Sequence, residues 1–241
     1  MENAKFFNIL SSSYDLMINF ENSLKNKSEN FKKFIEPNYK NALDLGCGTG
    51  VDSIALCQLG LNVTAIDHSE EMIKLAMINA ENKKVKIKFT AVDLLKFDFI
   101  IGYDIIVSLG NTLSNIDKKK LNSIIKIASK NLNSNGKILI QIINYSVIPK
   151  DKDYVLNTFE NENMIIVRKY SFKDDKMFFI IELTDKERQT SEQIITKIHP
   201  HSFEDFKKAA NQNNLKIKIY GSLSQDIFKQ DAKDLVISLT K

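Results

Sequence analysis

The stretch from Ala42 to Gly50, ALDLGCGTG, constrains this chain more than any other. Ala42, Leu43 and Leu45 around Asp44 suit the end of a buried strand, and Gly46, Cys47, Gly48, Thr49 and Gly50 then form a turn that opens a helix. Gly46 and Gly48 let the backbone take positive φ and approach a ligand closely, while the helix that follows presents unpaired N–H groups. The spacing is Gly-x-Gly-x-Gly, which departs from the Gly-x-Gly-x-x-Gly of pyrophosphate-binding dinucleotide folds. Glycine turns also occur for conformational reasons alone. Here, however, a second apolar run, NVTAI at residues 62–66, closes on Asp67, roughly twenty residues after the first glycine, where a carboxylate can grip both hydroxyls of a ribose. Together these features indicate a nucleoside site.

The combination resembles the class I S-adenosylmethionine-dependent methyltransferases. The resemblance covers most of the chain and is densest from Ala42 to Asn115. A closer likeness, to the glycine N-methyltransferase branch, lies in ALDLGCGTGVDSIALCQLGLNVTAIDHSEEMIKLA (Ala42 to Ala76), in DIIVSLGNTLSNI (Asp104 to Ile116), and in the Asn144-Tyr145 and His199-Pro200-His201 segments. The resemblance implies S-adenosylmethionine as cofactor. It places Gly46, Cys47 and Gly48 against the methionine part, Asp44 at the amino group and Asp67 on the ribose. His68 and Met72 would flank the ribose or the adenine, Asp93 and Leu94 would meet the adenine ring, and Leu109 would offer its carbonyl or amide.

The same resemblance lays an N-terminal segment over cofactor and substrate, which makes Tyr14, in SSSYD, a lid residue that also touches the cofactor. Asn111 would face the acceptor nitrogen, with Thr112, Asn115, Asn144 and Tyr145 completing a polar lining. Asn111 and Tyr14 are the candidate catalytic residues, and no metal ligand set is expected. One departure is informative. The glycine-specific branch carries an arginine before its Asn-Tyr pair to hold the substrate carboxylate, whereas this chain has Gln141-Ile142-Ile143. Ile143 cannot form a bidentate pair with a carboxylate. Asn115 also stands where that branch has a histidine. The expected acceptor is a small molecule other than free glycine, an amine, of which a less acidic one is an example.

Along the chain, apolar spacing predicts helix from Asn3 to Pro37, with Phe6, Phe7, Leu16, Met17, Phe20, Phe31 and Phe34 on helical faces. Strand and helix then alternate five times. The expected strands end at Leu45 and Asp67, then run Lys86 to Val92, Tyr103 to Leu109 and Lys137 to Ile143, the last opened by an Asn135-Gly136 turn. Beyond Tyr145, three strand-like runs (Met164 to Phe172, Met177 to Leu183, Ser191 to Ile198) read as an antiparallel meander. A helix from Ser202 and two further strands close the chain. The expected fold is a doubly wound, Rossmann-like α/β sheet of seven mostly parallel strands with an antiparallel last strand, an inserted β meander and an N-terminal helical lid. As one domain it divides into residues 1–37 (lid), 38–148 (cofactor core), 149–200 (β cap or subunit contact) and 201–241 (return to the sheet).

Composition narrows the partners. Formal charge is +4 and the pI about 8.8, but the lysines are spread along the whole chain, so a nucleic-acid track is not expected. Cys47 and Cys57 form no metal or disulfide pattern. With no long apolar run or signal-like start, the expected setting is the cytoplasm, with no membrane partner. A nucleic-acid or protein methyltransferase would share the cofactor site, yet LGNT replaces the Asn/Asp-Pro-Pro-aromatic signature of amino methylation on nucleic acids. A catalytically silent S-adenosylmethionine-binding protein is the third reading.

Overall fold

The computed structural model describes residues 6–7, 14–99 and 102–241. Ahead of the first strand lies helix α1 (Phe20–Phe31), and the strand–helix alternation runs β1 (Asn41–Leu45), α2 (Val51–Gln58), β2 (Asn62–Asp67), α3 (Glu70–Asn82), β3 (Lys88–Ala91), β4 (Tyr103–Ser108), α4 (Lys118–Lys130) and β5 (Leu132–Ile143). Four strands, β6 (Tyr154–Glu160), β7 (Met164–Lys173), β8 (Lys176–Asp185) and β9 (Thr190–Ile198), precede α5 (Phe203–Gln212), β10 (Lys216–Tyr220) and β11 (Asp234–Thr240).

The main sheet has the order β10-β11-β5-β4-β1-β2-β3, with β11 antiparallel to both neighbours and the other described pairings parallel. Near-continuous apolar runs such as Ile105-Ile106-Val107 and Ile138-Leu139-Ile140 are what a sheet covered on both faces requires. Alternate residues of these strands feed two separate cores. Leu43, Ile106, Ile138, Ile140 and Ile237 pack with Ile124 and Ile125 of α4 and Phe206 of α5. Ala42, Ile105, Val107, Leu139 and Val236 pack with Phe20 and Leu24 of α1 and Ile54 and Leu56 of α2. Helix starts are fixed by side chains: Ser69 Oγ accepts from Met72 N at 3.1 Å, and Ser202 and Asp205 form a reciprocal capping box.

The β6–β9 sheet is a separate antiparallel layer, in the order β6-β7-β8-β9. Ile166, Tyr170, Phe179, Ile181 and Ile194 on one face close a third core with Phe6, Met17 and Ile148. The expected meander thus has four strands rather than three. Tyr154–Glu160 escaped notice because polar Asn157 and Thr158 break its apolar alternation, and its pairing with β7 slips between Val155 and Asn157.

Two further boundaries differ from expectation. Asn135-Gly136 lies inside β5 rather than turning into it, near the point where β5 shifts register on β4 between Tyr103 and Ile105. The N-terminal helix is not continuous either, because Asn19 adopts φ 50° ahead of α1. The part of that expectation falling on residues 1–5 and 8–13 lies outside the described residues.

Candidate cofactor and acceptor site

The loop after β1 is held by the end of β2. Gly46 N and Cys47 N both donate to the Ile66 carbonyl, at 2.8 and 2.9 Å. Asp67 completes the clamp: its two carboxylate oxygens accept from Gly48 N and Ser69 N, each at 2.9 Å. Each oxygen retains lone-pair capacity for another donor.

The two glycines serve different purposes. Gly46 has φ +79°, and a Cβ there would run into the Thr112 side chain, with Oγ1 at 2.7 Å. Gly48 has φ +52°, and a Cβ there would stand 3.7 Å from the Tyr14 ring. Gly46 is therefore bare to admit the loop after β4, and Gly48 is bare on the side of the lid.

A cavity opens over this loop. Its wall includes Gly46, Gly48, Asp67, His68, Asp93, Leu94, Thr112 and Asn115, with Tyr14 and Phe7 on the N-terminal side. Asp93 Oδ1 accepts from Leu95 N at 2.8 Å, which fixes its turn. The cavity lies at the carboxyl ends of β1, β2 and β4, where strand order reverses, the place at which open α/β sheets bind ligands.

A second cavity, the inner chamber, shares Phe7, Tyr14, Gly110 and Asn115 with the first. Asn111, Gln141 and Ile143 come to it from the β4 and β5 ends, Asp234 from β11, and Asn157, Arg168, Tyr170 and Phe179 from the β6–β9 sheet. Burial pushes the Tyr14 hydroxyl up to about 12 and Tyr170 well above its ordinary value, so both are neutral donors near pH 7. Burial also raises the Asp234 carboxyl, against a hydrogen bond from Gln141 that favours the charged form.

Comparison with known proteins bears on this arrangement. Residues 42–136, from β1 into β5, match the family model described as "Methyltransferase domain". Over these residues the chain is similar to methyltransferase domains. Glycine N-methyltransferase of Rattus norvegicus is 32% identical over 130 residues, covering 48% of this chain and 42% of that protein. A ubiquinone biosynthesis O-methyltransferase of Pelagibacter ubique is 32% identical over 119 residues, covering 47% of this chain and 44% of that protein. The matched segments thus span less than half of each relative. In fold, an S-adenosylmethionine-dependent methyltransferase structure from Clostridium acetobutylicum superimposes with TM-score 0.80 at 20% identity, covering 97% of this chain and 98% of that one.

Within residues 42–136 and their surroundings, the structure sorts the residues named from sequence. Tyr14, Gly46, Gly48, Asp67, His68, Asp93, Leu94, Thr112 and Asn115 line the loop cavity. Four others do not reach its wall. Asp44 is 1% exposed beneath the loop, where Ser53 Oγ donates to it at 2.6 Å, and burial together with Asp52 pushes its carboxyl up to about 8. Cys47 packs with Ala65 and Ile73. Met72 is buried, and its N–H caps back to Ser69. Leu109 is buried too, and its carbonyl accepts from Thr112 N and Oγ1.

The acceptor-side residues are also rearranged. Asn111 lines the inner chamber, but its amide is committed. Nδ2 donates to the hydroxyls of Tyr145 and Tyr170, at 2.7 and 3.2 Å, and Oδ1 accepts from Ile143 N, Ser114 Oγ and Tyr145 Oη. Asn111 thus holds the two tyrosines in place at the wall of the chamber. Thr112 Oγ1 donates within its own turn and to the Gly46 carbonyl, stitching the two loops together.

Asn144 and Tyr145 border a different groove, beside His201 and Phe228. Asn144 Nδ2 donates to the carbonyls of Gln230 and Ala232, pinning the approach to β11. His201 Nε2 sits 3.0 Å from the carbonyls of both Leu113 and Ile116, so it fixes the loop after β4 from behind. Residues that sequence reading missed are Phe7, Arg168, Tyr170 and Asp234. Arg168 had a legible signal, since it alternates with Ile166 and Tyr170 on the packed face of β7.

Proposed function

We propose that the protein is an S-adenosylmethionine-dependent methyltransferase acting on the nitrogen of a small-molecule amine other than free glycine. The observation that carries this reading is the pair of adjoining cavities, which share Tyr14 and Phe7. One is shaped by a glycine loop and acidic strand ends, and the other is lined by Asn111, Gln141, Arg168, Tyr170 and Asp234. We further propose the whole chain as one methyltransferase unit, with residues 1–37 as lid and 149–200 as cap.

The residues present fit the cofactor. The bare face of Gly48 leaves room beside Tyr14, and the Asp67 carboxylate faces the cavity with lone pairs to spare for ribose hydroxyls. Gly46 with Gly48 would hold the methionine part, and Asp93, Leu94 and His68 the adenosine. When bound, the cofactor supplies an electrophilic methyl group on a sulfonium, and transfer to an amine needs alignment and a dehydrated site more than acid or base groups.

The chain's own groups do the positioning. Tyr14 and Phe7 stand where the two cavities meet, and the Tyr14 phenol, neutral near pH 7, would donate a hydrogen bond without offering a competing nucleophile. An ammonium must lose its proton to the carboxylate oxygen of a neighbouring base before its lone pair can react. Asp234, with its affinity for a proton raised by burial, takes that role. Ile143 supports exclusion of glycine as the preferred substrate, because its N–H is tied to Asn111 and its side chain is hydrocarbon.

Calorimetry with S-adenosylmethionine, followed by S-adenosylhomocysteine release in the presence of a panel of amines, tests the proposal. Binding together with faster turnover of another amine than of glycine is expected. Absence of cofactor binding, or glycine as the best substrate, overturns it.

A further inference from the structure

The chain contains two arginines, Arg168 and Arg188. Arg188 lies exposed in the turn after β8, paired loosely with Asp185. Arg168 points the other way. It sits in β7 between Ile166 and Tyr170, opposite Asn157 of β6 and Ile181 of β8. Its guanidinium lies 5.7 Å from the centre of the Phe179 ring and lines the inner chamber. Its Nε has no accessible surface and no hydrogen-bond partner, and among the described residues no carboxylate pairs with it.

A guanidinium cannot give up its charge as a lysine can, so a buried, unpaired one is costly unless something else supplies the anion. The aromatic face of Phe179 compensates only part of that cost. Arg168 lines the chamber where the acceptor would sit, and its Nε is left without a partner. We propose that Arg168 is the anchor for a carboxylate carried by the acceptor, so that the substrate class is an amine bearing a carboxylate at some distance from the reacting nitrogen. This rests on the methyltransferase reading above and names its substrate class.

The rest of the chamber supports a monoanion over a phosphate. Arg168 is the single cationic side chain on its wall among the described residues, and Asp234 stands on the same wall. A dianionic phosphate would meet one cation and one anion there, whereas an amino carboxylate finds an opposite charge for each of its ends. The flat guanidinium fork also matches the planar carboxylate. The carboxylate is received on the β6–β9 sheet and not at the end of β5, which agrees with Ile143 setting free glycine aside. What Ile143 changes is the place where the anion is held.

The test uses the full chain loaded with S-adenosylhomocysteine and measures binding by calorimetry. The probes are β-alanine and its longer straight-chain homologues, the alkylamines of matching length without the carboxylate, and aminoethyl phosphate. At least one amino carboxylate is expected to bind about tenfold or more tighter than its matching alkylamine. Arg168→Gln should remove that preference while S-adenosylhomocysteine affinity stays unchanged, which also shows that the variant is folded. Arg168→Lys should keep part of the preference. Alkylamines binding as well as amino carboxylates, aminoethyl phosphate binding tightest, a preference that survives Arg168→Gln, or no amine binding at all to a complex that does hold S-adenosylhomocysteine would each overturn the proposal. Failure of S-adenosylhomocysteine itself to bind would instead bring down the parent reading, and this one with it.

Discussion

The side-chain oxygen of Asn111 receives the backbone N–H of Ile143 at 3.1 Å, which ties the loop after β4 to the last residue of β5. Through the same amide, Tyr145 and Tyr170 are drawn together edge to face, with ring centres 5.8 Å apart. Asn111 is thus the joint between two strand ends and the cap.

That joint is testable by substitution. Asn111→Ala strips partners from a backbone amide, a serine and two tyrosine hydroxyls, and places a Cβ-bearing residue without a compensating side chain at φ 73°. A loss of about 3 kcal/mol is expected, at the upper end for a broken buried network. Asn111→Gly relieves only the backbone part and should recover less than half. Urea denaturation midpoints check both.

Gly46 and Thr112 should behave as a coupled pair. Gly46→Ala drives a methyl group into Thr112, and an expected cost of about 3 kcal/mol follows from overpacking plus the positive φ. Thr112→Ala alone loses the Oγ1 bonds to the Gly46 and Leu109 carbonyls, worth about 1 kcal/mol. The double variant should be more stable than Gly46→Ala, giving a coupling energy of about 1 kcal/mol in a thermodynamic cycle. Additive effects would show that the two loops do not press on each other.

Asp44 sets an expectation for pH. Burial lifts its carboxyl from 3.8 to about 8, so across that interval the folded protein holds a proton that the unfolded chain has released. The unfolded state binds fewer protons there, and this residue's contribution to stability therefore declines as pH rises from about 4 to about 8. Asp44→Asn keeps the shape without the charge and should flatten that part of the profile. Thermal midpoints of both proteins at about pH 5 and about pH 8 decide it: equal slopes would show that Asp44 is charged throughout.

Tyr14 separates structure from function differently. Among the described residues no hydrogen bond involves its hydroxyl, so Tyr14→Phe should leave stability within about 0.5 kcal/mol of the parent. Methyl transfer should slow by about tenfold, the loss expected for one hydrogen-bond donor at the reacting centre. Because its pKa is about 12, the phenol keeps its proton, and wild-type activity should show no step due to Tyr14 between about pH 8 and about pH 10.

The parts of the fold written in local patterns were legible. The glycine turn with Asp67, the alternation of apolar runs with capped helices, and the antiparallel final strand all follow from periods and punctuation that each segment carries by itself. What failed depended on contacts between distant segments. Asn135-Gly136 has the composition of a turn, yet it stands within β5, in the stretch that bulges between the β4 partners of Leu132 and Lys137. The burial of Asp44 beneath the loop, with Ser53 of α2 donating to one of its oxygens, could not be read from local pattern either. Arg168 alternates with Ile166 and Tyr170 in sequence, but which face of β7 turns inward is set by the packing of Phe6, Met17 and Ile148 against it.

The two sheets are hydrogen-bonded ladders with no strand in common. From Tyr154 to Ile198 the chain leaves the main sheet and returns, and the backbone N–H of His199 then meets the Ser114 carbonyl at 2.8 Å. The segment that carries Arg168 can thus be altered, or replaced by a related one, without breaking a rung of the ladder that shapes the glycine loop. On the proposed function, a transplant of this segment should change the choice of acceptor and leave the cofactor cradle in place.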